Sequence, residues 1–134
     1  MKLIKIEHVG IAVNDLDTSI RFYEEVFGLK CYKIEEIEDQ QVKTAFLKVG
    51  ETKIELLEST SPDGPIAKHI GKRGEGIHHI AYAVDDLREA LKQAESQGIR
   101  LIDREPRKGA EGLNIAFLHP KSTNGVLTEL CEKP

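Results

Sequence analysis

Cysteine is scarce in this chain. Cys31 and Cys131 are the two present, far apart and outside any CxxC or CxxxH grouping, so neither a disulfide framework nor a thiolate zinc site is expected. Both read as small hydrophobes. Long apolar runs are missing too: no stretch approaches the ~20 residues that span a bilayer, and MKLIKIEHVG has no apolar core of a signal peptide. The chain therefore reads as cytoplasmic, with no membrane partner. Blocks of lysine or arginine are absent and the net charge of −4 is dispersed, which argues against a nucleic-acid partner. Asn and Gln are few beside 31% charged residues, a balance that suits a thermophile. What is present is enough for one domain: 134 residues with a 40% apolar fraction can cover a sheet with helices on one face.

The chain repeats itself. HVGIAVNDLDTSIRFYEEVFGLK from His8 recurs as HIAYAVDDLREALKQAESQGIR from His79, which aligns His8 with His79, Ala12 with Ala83, Val13 with Val84, Asp15 with Asp86 and Leu16 with Leu87. Each copy reads as strand, turn and helix. Val9, Ile11 and Val13 alternate with His8, Gly10 and Ala12, and Ile80, Tyr82 and Val84 alternate with His79, Ala81 and Ala83. Helical spacing follows in Leu16, Ile20, Tyr23 and Phe27 and in Leu87, Leu91 and Ala94, with Asp15 and Asp86 as N-caps and Gly28 and Gly98 as stops. The halves also end alike, KIELLE (Lys53 to Glu58) against LTELCE (Leu127 to Glu132), which pairs Glu55 with Glu129. Extended runs at Lys30 to Ile37, Val42 to Val49, Arg100 to Asp103 and Leu113 to Leu118 complete a βαβββ pattern in each half. Residues 1–134 thus read as a single domain made of repeats 1–58 and 77–134. A polar linker, 59–76, joins them and has room for one short helix in PIAKHI. The expected fold class is α+β: two βαβββ modules in tandem forming a curved mixed sheet around a metal site, with helices on the outer face.

Parity explains the metal expectation. Alternate side chains of a strand share a face, so His8 and His79 project with small residues, away from the bulky face that must meet a helix. Glu55 lies opposite Ile54 and Leu56, and Glu129 opposite Thr128 and Leu130. A carboxylate facing an enclosed hollow is costly unless paired or coordinated. One His and one Glu from each half would meet that need as ligands of one divalent ion. Mixed imidazole and carboxylate donors suit Co²⁺, Mn²⁺, Ni²⁺, Fe²⁺ or Zn²⁺. A lone strand histidine is ordinarily structural, but unrelated roles would not require four such residues at matched positions. His78 points to the other face and reads as structural.

At these residues the chain resembles the vicinal-oxygen-chelate superfamily, and within it the methylmalonyl-CoA epimerases. The resemblance runs through IEHVGIAV, FYEEVFGL, TKIELLE, SPDGPIAKHI, GIHHIAYAVDD, PRKGAEG and FLHPKSTNGVLTEL, of which the last and GIHHIAYAV are the most specific. It implies paired βαβββ modules, metal ligands at His8, Glu55, His79 and Glu129, Co²⁺ as the ion, a homodimer and an acyl-CoA substrate. The implied reaction interconverts (R)- and (S)-methylmalonyl-CoA by moving the C2 proton, with Glu129 as acid/base as well as ligand. The family's other carboxylate falls at Thr44, which cannot be a carboxylate base. Glu55, Glu38, Asp39 or a metal-bound water are left to take that role. Lys68, Lys72, Arg73, Arg107 and Lys108 lie near the expected rim and could hold coenzyme A phosphates, while Gly109 and Ala110 in KGAEG could present backbone amides to the acyl carboxylate. HPKSTNG from His119 reads as a turn. A glyoxalase I-type lyase using the same ligands and a non-catalytic ligand-binding module of the same fold are the competing readings.

Overall fold

Two aspartates open the two helices of the repeat. Asp15 accepts a hydrogen bond from Thr18 N–H at 3.1 Å and starts α1 (Leu16–Phe27), and Asp86 accepts from Glu89 N–H at 3.1 Å and starts α3 (Leu87–Ser96). A second carboxylate reaches each helix start from a distant strand: Glu58 accepts from Leu16 N–H at 3.2 Å and Glu132 from Leu87 N–H at 2.9 Å. Orphan amides at both helix starts are thus satisfied in the same way. Gly28 ends α1 in the left-handed region at φ 69°, whereas α3 is capped by Gln97, one residue before the expected stop at Gly98.

The computed structural model describes residues 1–134 and divides into two units, His8–His78 and Met1–Glu7 together with His79–Pro134. In the first, β1 (Lys5–Ala12), β2 (Cys31–Ile37), β3 (Val42–Val49) and β4 (Thr52–Ser59) follow the order β2-β3-β4-β1, with β1 parallel to β4 and the other pairs antiparallel. In the second, β5 (Gly76–Ala83), β6 (Arg107–Lys108), β7 (Asn114–Leu118) and β8 (Thr128–Glu132) follow β5-β8-β7-β6, with β5 parallel to β8. The class is α+β and the βαβββ order holds in each half. The boundary between units falls inside β1 and inside β5. The first residues of the chain belong with the second half, where Ile4 N–H donates to Ala83 C=O at 2.8 Å.

The strands of each unit bury their bulky face under that unit's own helix. Leu16, Ile20 and Tyr23 of α1 pack on Val13, Ala45, Leu47 and Leu56, and Leu87, Ala90 and Leu91 of α3 pack on Val84, Ala116, Leu118 and Leu130. Burying a leucine completely, as at Leu47, Leu56 and Leu87, stabilises by about 2 kcal/mol each. The linker carries α2 (Pro65–Arg73), the short helix expected in PIAKHI extended by three residues. Its Ile66 and Ile70 cover Ala12, Val42 and Leu57 on the other face of the first sheet. That face is consequently closed over part of its length by the linker helix.

One expected strand is not formed. Arg100–Asp103 contributes a single bridge, Leu101 to Leu118, and the edge strand is β6 at Arg107–Lys108. Asp103 is the cause: its carboxylate accepts from Phe117 N–H at 2.9 Å, while Phe117 C=O accepts from Ile102 N–H at 2.9 Å. A side chain takes a ladder bond that a strand would have made, and the segment leaves the sheet.

Candidate functional site

The parallel pairs set the candidate ligands. In the first unit Gly10 lies opposite Glu55, and in the second Ala81 lies opposite Glu129, so the repeat extends to strand register. Each histidine stands two residues before that small residue, on the same face. His8 Nδ1 is 3.1 Å from Glu55 Oε2, and His79 Nε2 is 3.4 Å from Glu129 Oε1. All four are buried, at 3%, 4%, 5% and 4% exposure for His8, Glu55, His79 and Glu129, so none is an ordinary solvated surface charge.

The donor set fits a divalent ion. Ligand atoms about 2.1 Å from a shared ion and at right angles to one another stand about 3 Å apart, which is the spacing inside each His–Glu pair. Imidazole nitrogens with carboxylate oxygens are the chemistry of Zn²⁺, Co²⁺, Mn²⁺ or Fe²⁺ sites, and burial limits competing water. His79 packs T-shaped against the Phe117 ring with centroids 5.6 Å apart, and the Arg107 guanidinium lies over that ring, 5.6 Å from its centroid. Arg107 also pairs with Asp103 at 3.0 Å, so this cation is already engaged within its own unit.

Two buried polar residues near these pairs escaped the sequence reading. Glu7 is 6% exposed although strict alternation places it opposite His8, and its carboxylate lies within 4.8 Å of the Cys131 thiol. Consecutive buried residues in one strand were not legible from period two. Cys131 is no inert hydrophobe: its thiol donates to Glu129 Oε2 at 3.0 Å. A thiol two residues from an expected ligand on one strand was the available signal.

Thr44 sits where the register Thr44 opposite Leu57 and Phe46 opposite Glu55 puts it, on the face of Glu55. It is 1% exposed and its hydroxyl has no hydrogen-bond partner. Glu38 and Asp39 are exposed in the turn between β2 and β3. Of the carboxylates considered for the second acid/base, Glu55 is the buried one. Lys68 is exposed on α2. Lys108, exposed on β6, donates to Gly112 C=O at 3.4 Å. Gly109 passes so close to Ile115 that a Cβ there would meet its side chain at 2.8 Å, and Ala110 begins a short 3-10 turn. Lys108, Gly109 and Ala110 are thus contiguous in one unit and Lys68 belongs to the other. His78 packs edge to face on His69 at 4.9 Å, and burial followed by the charge of Arg73 lowers the His69 pKa from its ordinary value. His119 accepts from Lys121 N–H at 3.1 Å and caps the turn read from HPKSTNG. A cleft of about 480 Å³ beside α3 is lined by Arg88, Glu95, Arg104 and Glu105, whose charges pair with one another, and contains no candidate residue.

A family model described as the Glyoxalase/Bleomycin resistance protein/Dioxygenase superfamily matches residues 7–117. This chain belongs to that superfamily. Several of its relatives within the glyoxalase superfamily are methylmalonyl-CoA epimerases. The mitochondrial methylmalonyl-CoA epimerase of Dictyostelium discoideum is 42% identical over 96% of this chain and 78% of that protein. The ethylmalonyl-CoA/methylmalonyl-CoA epimerase of Cereibacter sphaeroides is 38% identical over 94% and 96%. A variant of the Streptomyces coelicolor methylmalonyl-CoA epimerase, solved in complex with 2-nitronate-propionyl-CoA, superposes with a TM-score of 0.95 at 39% identity, covering 98% of this chain and 96% of that one. No helix of this superfamily member is long and apolar enough to cross a membrane.

Proposed function

We propose that this protein is a metal-dependent methylmalonyl-CoA epimerase, interconverting the (R) and (S) forms by removing and returning the proton at C2. The observation that carries the reading is the matched register of two buried His–Glu pairs, Gly10 against Glu55 and Ala81 against Glu129, in a chain that aligns over 96% and 94% of its length with two methylmalonyl-CoA epimerases. His8, Glu55, His79 and Glu129 would hold one divalent ion, for which the family resemblance favours Co²⁺. When bound, that ion supplies positive charge where negative charge develops on the thioester oxygen.

The chain's own residues account for the proton. The C2–H bond breaks as the Glu129 carboxylate takes the proton, and the electron pair moves toward the thioester carbonyl. Returning a proton to the opposite face needs a second acid/base. Glu55, buried on the face of Thr44 and beside His8, is proposed for that role, because the Thr44 hydroxyl cannot serve as a carboxylate. Lys68 and Lys108 are proposed to meet the phosphates of coenzyme A, and Gly109 and Ala110 the acyl carboxylate through backbone amides. A homodimer is the further expectation that the resemblance carries, and a cytoplasmic location the one read from the chain's lack of long apolar runs.

Deuterium uptake at C2 of methylmalonyl-CoA in D₂O, followed by NMR with metal-stripped and then Co²⁺-refilled protein, tests the reading. Metal-dependent exchange with loss of stereochemical purity is expected. No exchange in the refilled sample would overturn it in favour of a glyoxalase-like substrate or a binding role.

A further inference from the structure

Glu129 is gripped from two sides. On β8 it shares a face with Cys131, whose Sγ–H donates to Oε2 at 3.0 Å, while Oε1 stands 3.4 Å from His79 Nε2. Both partners are buried, so neither contact exchanges readily with water. The thiol is not something the scaffold requires. The internal repeat, with its offset of 74 residues between KIELLE and LTELCE, sets Leu57 at the equivalent position in the other unit. There Leu57 packs with Ile66 as a plain hydrophobe.

We propose that Cys131 is a positioning residue for Glu129. Resting on the function proposed above, its role is to fix the rotation of the carboxylate about its last torsion. Oε2 is then committed to the thiol, and Oε1 is presented on the His79 side for the ion and the substrate. A carboxylate's terminal torsion is broad when left alone, so a single donor on one oxygen is enough to choose between the two presentations. A hydrogen bond to an ionised acceptor is stronger than one between neutral groups. Outer partners that orient a ligand in this way typically change metal affinity about 10- to 100-fold when removed.

The test compares Cys131→Val, which keeps an apolar side chain of similar size and loses the donor, with Cys131→Ser, which keeps a donor. Co²⁺ affinity is measured by competition with a chromophoric chelator, beside kcat and KM for epimerisation. The Val variant is expected to bind Co²⁺ about 10- to 100-fold more weakly and to lose more in kcat than in KM, with the Ser variant closer to wild type. Wild-type affinity in the Val variant overturns the role, and so does a Ser variant as weak as the Val one, which would make the residue a packing element. Should the Val variant not fold, Cys131→Ala against Cys131→Ser makes the same comparison. A wild-type protein that takes up no Co²⁺ overturns this role together with the metal reading. One that binds Co²⁺ without epimerising overturns only the substrate reading, and the affinities then decide Cys131.

Discussion

The two units share a scaffold and differ in what surrounds their carboxylates. Both start their helix on an aspartate and reach back to it with a strand glutamate, and both set a small residue of one strand against a glutamate of the parallel neighbour. In the first unit the next inward position after Glu55 is Leu57, roofed by α2. In the second, the next after Glu129 is Cys131, which donates to it. The outer strands diverge as well: β2 and β3 form a full hairpin, but β6 is two residues long and yields its place to a loop held by Asp103. The repeat keeps the elements that fix where the candidate ligands sit. The surroundings of those ligands are free to specialise, so two equivalent glutamates can have unequal chemistry.

The largest effect should come from removing an equivalent ligand on either side. His8→Ala and His79→Ala are each expected to abolish metal retention and to lower epimerase activity by on the order of 10³-fold or more, measured by metal analysis and turnover. If either variant keeps both, the four ligands do not form one set. Next is a change that distinguishes the units: Thr44→Val removes an unpartnered buried hydroxyl with little change of shape. It should raise stability by about 1 to 3 kcal/mol in a urea titration and leave turnover near wild type. A loss of several orders of magnitude there would instead give Thr44 a direct part in the chemistry. The smallest effect should be shared, since Asp15→Ala and Asp86→Ala each remove one helix cap and should each cost about 1 kcal/mol. Clearly unequal losses would show that the capping equivalence seen in the fold is not energetic.

The repeat was legible because its causes are local. Asp15 and Asp86, the alternation around His8 and His79, and the closing KIELLE and LTELCE segments all act through neighbours in sequence, and they yield the helices, the strands and the shared faces of the His–Glu pairs. Arg100–Asp103 was misread because its alternation resembles a strand, while the deciding interaction is a bond from Phe117 N–H to a side chain fourteen positions away. The burial of Glu7 beside Cys131 and the closure of part of the first sheet's inner face by Ile66 and Ile70 have the same origin. Each depends on which strand or helix arrives alongside, and periodicity carries no record of that. Thr44 was legible by alignment as a departure from a carboxylate. Its lack of a hydrogen-bond partner became visible only once β3 and β4 were in register.

The chain's first residues carry one more consequence. Residues 8–78 are contiguous, so every contact of that unit can form once His78 has been synthesised. The other unit needs Met1–Glu7, and Ile4 cannot donate to Ala83 until 79 more residues have followed it. Met1–Glu7 therefore waits for partners that lie far along the chain, and loop closure of that length slows the step. Translation order imposes a sequence on assembly, with the half that carries His8 and Glu55 able to settle before the half that carries His79 and Glu129.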